Sequence, residues 1–463
     1  GGATTEGRLQ SWGRRLLSIQ PRDAADSALP PTPPQTPDLL HSLRVGTASS
    51  PEVCSSLAPF SPPSEGGGGV GYDGKTRLAL VGHTREGGYL TGLRDKGSKK
   101  ATEYGYALEV ELDLDLTGSD NVFRGTHSVP GGRLFHSSKV QYPAAAAVPP
   151  DDSEHGGDAR EVAYVAMMVT DDDSPNPHSS DGTSENPDLT VGIDDPDFFS
   201  PNHGADSSGS WHKYGKSFDL AVMKLGRKTS AEMEKDEEQI DREGGADYVP
   251  RETMKVLWEQ TFATSDEGTA DGEHPGALLA DLIYVPHADA EASGNGEGGL
   301  VRSDFLLLAG STPGFGSAFG SEVKMDGGDW DGFLTKLSPA TGEELVPQSP
   351  EEQLKSPHSV RIRSQNGMDD VVRGVCVQPD GGDVRAAYVV GTTLGIFDTA
   401  SLPGGRDNDV DPLEALDAES AFVAKVDLDT MTVQWKRQFV ASSAAVGGGT
   451  RAEDAVGSGC AVT

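Results

Sequence analysis

From about residue 70 onward, short runs rich in Val, Leu, Ala and Tyr alternate with glycine- and aspartate-rich breaks. That texture predicts many short β-strands separated by turns. Three runs align on a lysine: Asp219–Leu225 (DLAVMKL), Asp331–Leu337 (DGFLTKL) and Ser420–Val426 (SAFVAKV). A weaker fourth copy, Tyr106–Asp115 (YALEVELDLD), puts Glu111 at the lysine position. The aligned Glu111, Lys224, Lys336 and Lys425 are 113, 112 and 89 residues apart, the unequal spacing of a repeat that tolerates inserted loops.

A second kind of run precedes the first. Leu78–Thr84 (LALVGHT), Phe305–Thr312 (FLLLAGST) and Tyr388–Thr393 (YVVGTT) are apolar strands that end in Gly-x-Thr. A third kind follows, Val256–Phe262 (VLWEQTF) and Val433–Phe439 (VQWKRQF), each with a central Trp and a closing Phe. A fourth opens the unit at Val371–Gly382 (VVRGVCVQPDGG) and recurs at Ala455–Val462 (AVGSGCAV), which aligns Cys376 with Cys460. Four strands per unit in fixed order predict an all-β chain, a β-propeller of about four degenerate four-stranded blades.

The unit over 369–440 is the most complete, with PDGG at 379–382, YVVGTT at 388–393 and SAFVAKVDLD at 420–429. With the Trp-containing strand after them, these motifs resemble the bacterial-type (SBBP-type) β-propeller repeat. The likeness covers chiefly residues 300–440, where FLLLAGST and WDGFLTKLSPATGEEL form a second good copy. It implies a non-enzymatic scaffold, secreted or on a cell surface, and supplies no catalytic residues. Partners would be a protein or glycan bound through the loops between blades.

The boundaries expected on this basis are a disordered Pro/Ser/Gly-rich segment over 1–68 and propeller repeats over 69–463. Within the latter, blades fall at 69–150, 160–265 (with acidic insertions), 275–365 and 369–440, and 452–463 opens a further or closing blade. The sequence leaves two arrangements open: the C-terminal strand completes the first blade, or the repeat array continues.

Composition narrows the function. A net charge of −35 argues against nucleic acid, whose phosphates need a basic face. No apolar run is long enough to span a membrane. The three cysteines form no CxxC pair, which excludes zinc ribbons and thioredoxin-like chemistry. No GxSxG elbow and no HExxH occur.

Gly69–Thr76 (GVGYDGKT) fits the P-loop pattern, but a linker precedes it and a strand follows where phosphate binding needs a helix. No cofactor is expected; the one candidate cation site is Asp407, Asp409 and Asp411, alternating carboxylates of the kind that converge on calcium. Pro412 and Ala418 stand where an EF-hand needs Gly and Glu, and the plain reading of the cluster is a solvated loop. Two other functions remain: a quinoprotein-like dehydrogenase, from Leu337–Leu345 (LSPATGEEL), and an acidic calcium-responsive matrix protein.

Overall fold

A computed structural model describes residues 52–59, 75–85, 103–115, 124–135, 141–147, 162–170, 218–242, 252–262, 277–286, 304–312, 330–345, 358–365, 368–378, 385–397, 420–439, 441–442 and 452–453. Four four-stranded antiparallel sheets follow one another along the chain, and within each the strands pair in sequence order. The first comprises β1 (Glu52–Pro59), β2 (Lys75–Arg85), β3 (Glu103–Asp115) and β4 (Arg124–Phe135). The second has β5 (Gln141–Ala147), β6 (Val162–Thr170), β7 (Phe218–Arg227) and β8 (Met254–Phe262). The third has β9 (Leu278–Val285), β10 (Phe305–Thr312), β11 (Asp331–Leu337) and β12 (Ser359–Ile362). The fourth has β13 (Asp370–Val377), β14 (Ala386–Thr393), β15 (Ser420–Asp427) and β16 (Thr432–Phe439), and a short pair, β17 (Ala441–Ser442) and β18 (Ala452–Glu453), comes after it. Among the described residues no helix is long and apolar enough to cross a membrane.

Each sheet rests on the one before it. The opening strand makes most of the junction: β5 lies against β1 to β3, β9 against β5 to β7, and β13 against β9 to β11. Among the described residues, no comparable contact joins the first sheet to the fourth. Apolar side chains of facing sheets interdigitate at each junction. Val81, Ala107 and Phe135 meet Val165, Met167 and Met223. Further along, Ala166, Leu220 and Phe262 meet Leu278, Leu306 and Phe333, and then Leu307, Ala309 and Leu334 meet Val389, Phe422 and Ala424. Position in the stack decides the burial pattern. β10 and β11, covered on both sides, are buried at every residue, whereas β15 alternates buried and half-buried.

The Gly-x-Thr motif has a geometric cause. Opposite Gly82, Gly310 and Gly391 the paired opening strand carries a register shift, at Cys54/Ser56, Leu279/Asp281 and Val372/Gly374. The bulged strand brings its backbone close. A Cβ on Gly310 would lie 2.3 Å from the Leu278 carbonyl oxygen, and one on Gly391 2.1 Å from that of Val371. Only glycine leaves room for that approach. The next residue serves the junction, since the Ser311 hydroxyl accepts the Val372 N–H of the following sheet at 2.8 Å.

Two boundaries differ from the sequence reading. β1 lies inside the 1–68 segment expected to be disordered and supplies the first sheet with its opening strand. β5 lies in the range assigned to the first unit but pairs with β6 and opens the second sheet. Pro143 is accommodated there because β5 is an edge strand with a register shift beside it. The insertion after β7 holds the one helix among the described residues, α1 (Ser230–Arg242). A capping box starts it: Glu232 N–H donates to the Thr229 hydroxyl at 3.3 Å, and Thr229 N–H donates to the Glu232 carboxylate at 2.7 Å. The Lys255 ammonium, with the Thr229 donors helping, holds the Glu232 carboxyl down at about 2.

Candidate functional site

The aligned lysines mark the part of each sheet where chemistry-bearing side chains gather. Pairing register sets Tyr164, Lys224 and Trp258 side by side across β6, β7 and β8. The same register sets Tyr388, Lys425 and Trp435 across β14, β15 and β16. Each ammonium sits over an aromatic face: Lys224 is 5.5 Å from the Tyr164 ring, Lys425 5.8 Å from Tyr388, and Lys336 of the third sheet 5.2 Å from Phe305. These are cation–π distances. The tryptophans flank the rows, with ring centroids 5.9 Å apart for Tyr164–Trp258 and 6.1 Å for Tyr388–Trp435.

In the second sheet this row grips the sheet that follows. The Tyr164 hydroxyl and the Trp258 indole N–H both donate to the Pro339 carbonyl, at 3.2 and 3.3 Å. Pro339 lies in the turn between β11 and β12, and Gly342 of that turn has φ of +76°. A Cβ on Gly342 would stand 2.4 Å from the Trp258 ring, so the turn needs glycine twice, for its backbone and for the indole. Burial, and then the Asp304 carboxylate, pushes the Tyr164 phenol well above its ordinary value and keeps it a neutral donor. Asp304 in turn accepts the Tyr284 hydroxyl at 2.5 Å.

The next junction repeats the plan. Leu428 and Met431, from the turn between β15 and β16, pack with Phe305 and Val285 of the third sheet. Asp427 closes that turn by accepting the N–H groups of Asp429 and Thr430, at 2.9 and 3.0 Å. Burial brings the Lys336 ammonium down to about 8, with Asp429 opposing the shift, Arg385 adding to it and Asp427 opposing it. Burial likewise lowers Lys224.

The first sheet departs from the pattern. Gly82 pairs with Tyr106 as Gly310 pairs with Phe333 and Gly391 with Phe422, and the lysine stands three residues after the aromatic partner. The equivalent of the lysine is therefore Glu109 rather than Glu111, and its buried carboxylate lies 4.0 Å from the Arg227 guanidinium of the second sheet. In the other three sheets the lysine caps a ring. Trp258 packs between sheets, whereas Trp435 is 40% exposed and packs against Tyr388 of its own sheet.

A second polar cluster lies where the third sheet meets the fourth. Asp370 and Trp330 are tied by a backbone bond of 2.7 Å, and the Asp369 carboxylate accepts the Trp330 N–H at 2.9 Å. The fully buried Asp370 carboxylate accepts the Ser364 N–H. Burial pushes the Asp370 carboxyl up to about 7, against the pull of the Thr393 and Ser364 hydrogen bonds. Asp331 pairs with Arg361, and His358 lies 3.3 Å from Glu344.

Asp407, Asp409 and Asp411 lie outside the described residues, as does the glycine-rich 314–320 segment. Among the described residues, no group of three or more His, Cys, Asp or Glu could hold a metal ion. Lys75 and Thr76 of the P-loop-like stretch open strand β2, so a strand follows where a phosphate site needs a helix. LSPATGEEL turns out to be the end of β11 and the turn held by Trp258.

The arrangement holds a backbone carbonyl through two hydrogen bonds and a turn through an aromatic ring, which is packing chemistry. Trp258→Ala is expected to cost about 3 kcal/mol in urea denaturation, since it removes a wedged aromatic and one of the two donors to the Pro339 carbonyl. Trp435→Ala is expected to cost about 1 kcal/mol or less, the value of one exposed aromatic contact. Equal losses would contradict this assignment. No protein-family model matches the chain, and no curated protein and no solved structure matches it.

Proposed function

We propose that the four sheets are blades of a β-propeller of SBBP-type repeats, a non-enzymatic scaffold that binds a protein or glycan partner outside the cell or at its surface. What supports the binding role is where the chain spends its length. In every sheet a long connection joins the second strand to the third: 86–102, 171–217, 313–330 and 394–419. In an antiparallel meander each of these connections joins the end of the second strand to the neighbouring start of the third, so the framework fixes where all four begin and end. Two of them are strongly acidic. Residues 171–217 hold ten Asp and Glu against two Lys, and 394–419 hold seven against one Arg, a charge pattern that suits a partner with a basic face.

The test is binding of the full chain to a glycan array and to a set of purified surface proteins, repeated after residues 171–217 are replaced by a short Gly-Ser linker. Binding that disappears with the replacement, at unchanged melting temperature, supports the proposal. Binding indifferent to every one of the four connections, or none at all, overturns it. A quinone absorbance in the purified protein would instead favour the dehydrogenase reading, and a rise in melting temperature with millimolar calcium would favour the calcium-responsive matrix reading.

A further inference from the structure

Each sheet ends, opposite its opening strand, in an edge strand, and three of these four are guarded. β4 carries Pro130 and a register shift, and β12 is only four residues long. β8 has α1 tied beside it by the Lys255–Glu232 ion pair at 2.7 Å. Proline, bulges and short length all keep other chains off a sheet edge. β16 has none of these over Trp435–Phe439, which pairs in unbroken register with Ala421–Lys425. Among the described residues β16 pairs with β15 alone, so its outer edge presents backbone N–H and carbonyl groups.

What stands along that edge is apolar and cationic. Of the five large apolar side chains exposed among the described residues, Trp435 and Phe439 both lie on β16, and Phe439 is 55% exposed. Trp435, Arg437 and Phe439 alternate along the strand and so share one side of it, spaced by about 7 Å. Lys436 lies on the other side, where its ammonium donates to the carbonyl of the exposed Arg363 at 2.8 Å. In a chain carrying −35 charges this is a cationic stretch. The nearby carboxylates are engaged by other donors: Asp427 accepts the N–H groups of its own turn and the Gln434 amide, and the fully buried Asp370 accepts the Ser364 N–H.

Charge also selects the occupant. Two copies paired through the middle of β16 would set Lys436 and Arg437 of one against those of the other, and like charges opposite one another are destabilising. A strand bearing carboxylates gains from the same groups. The cations alone would serve to keep a second copy away, but they leave Trp435 and Phe439 without a role; an incoming strand with apolar side chains on that side covers both. We propose that β16 is a docking edge for an extended segment of a partner protein, one that alternates apolar and acidic residues and adds to the fourth sheet as a fifth strand. Its backbone bonds the outer edge, its apolar side chains lie beside Trp435 and Phe439, and its carboxylates lie beside Lys436 and Arg363. At physiological salt, repulsion from the chain's more distant negative charges fades over about 8 Å. The site lies on a strand, outside the four long connections, and takes an acidic partner where they suit a basic one.

Fluorescence anisotropy of a labelled peptide of alternating valine and glutamate, titrated with the full-length protein, tests this. Saturable binding is expected, with none for a valine–lysine peptide of equal length. Trp435→Ala combined with Phe439→Ala should weaken binding by about tenfold or more. Arg363→Glu combined with Arg437→Glu should transfer the preference to the valine–lysine peptide. Hydrogen exchange on the parent protein needs no variant: the valine–glutamate peptide should slow exchange of the amides of 434–439. Equal binding of the two peptides, protection confined to other strands, or no saturable binding would overturn the proposal. So would a light-scattering mass that rises with protein concentration and is reset by the Trp435→Ala, Phe439→Ala pair, because the edge would then belong to a second copy.

Discussion

Gly391→Ala is expected to lose about 3 kcal/mol or more of stability and to lower the urea midpoint with it. The new methyl would stand 2.1 Å from the Val371 carbonyl oxygen and 2.7 Å from the Phe422 ring. Neither neighbour is free to give way. Val371 belongs to the bulged opening strand that carries the junction with the third sheet, and Phe422 stacks on Phe397 with centroids 4.4 Å apart. Alanine does restrict the unfolded chain, which favours the variant by about 0.4–1 kcal/mol. Overpacking against a rigid backbone outweighs it, at about 1–3 kcal/mol for the clash alone, with the disturbed ladder added. Gly310→Ala should behave alike, because its Cβ would meet the Leu278 oxygen at 2.3 Å. Unchanged urea midpoints for both would refute the close approach as the reason for the Gly-x-Thr motif.

The second large effect concerns Asp370 and pH. Its carboxyl is raised from 3.8 to about 7 in the folded chain, burial being the main cause. Between those values the native state holds a proton that the unfolded state has released, so stability falls as pH rises from about 4 to 7 and levels off beyond. A shift of about three units corresponds to about 4 kcal/mol at most. The charged groups around Asp370 are Asp369, which raises it further, and Lys436, whose ammonium is itself lowered by burial and raised by Asp370, with Arg363 beside it. Asp370→Asn keeps an oxygen for the Ser364 N–H and removes the titration. Urea unfolding at pH 5 should find the two proteins similar, and at pH 8 the Asn variant should be the more stable. The comparison isolates this carboxyl from the general repulsion of a chain carrying −35 charges. Parallel pH profiles would sink the idea.

The third and fourth sheets were the most legible in the sequence because their strands keep one signature each: the opening VVRGVCV, the Gly-x-Thr strand, the lysine strand and the Trp strand. β1 and β5 were not legible. Glu52–Pro59 lies among prolines, and Gln141–Ala147 is mostly alanine with a proline, so neither has local strand propensity. Their pairing with β2 and β6 forms them instead, a tertiary effect invisible in a short window. The slip from Glu109 to Glu111 has a similar origin. In YALEVELDLD the alternation looks the same two residues along, and only the Gly82–Tyr106 pair fixes the register. Of the candidate site, the lysines were visible but their ring partners were not, since a cross-strand neighbour is defined by pairing rather than by spacing. The Pro339 carbonyl and the buried Asp370 carried no sequence signal, because a backbone acceptor and one aspartate among many look ordinary until the chain surrounds them.

Because each sheet leans chiefly on its neighbours in the stack, order is passed along the chain rather than held in one central mass. Among the described residues, a sheet packed on one side has one junction to lose and a sheet packed on both sides has two. β10 and β11, enclosed on both sides, then form the slowest-exchanging unit, and β16, the edge strand of the last sheet, is among the first to fray. A partner that grips the connections of several sheets at once would bind those loosely coupled units into one cooperative body, so that recognition and stabilisation become the same event.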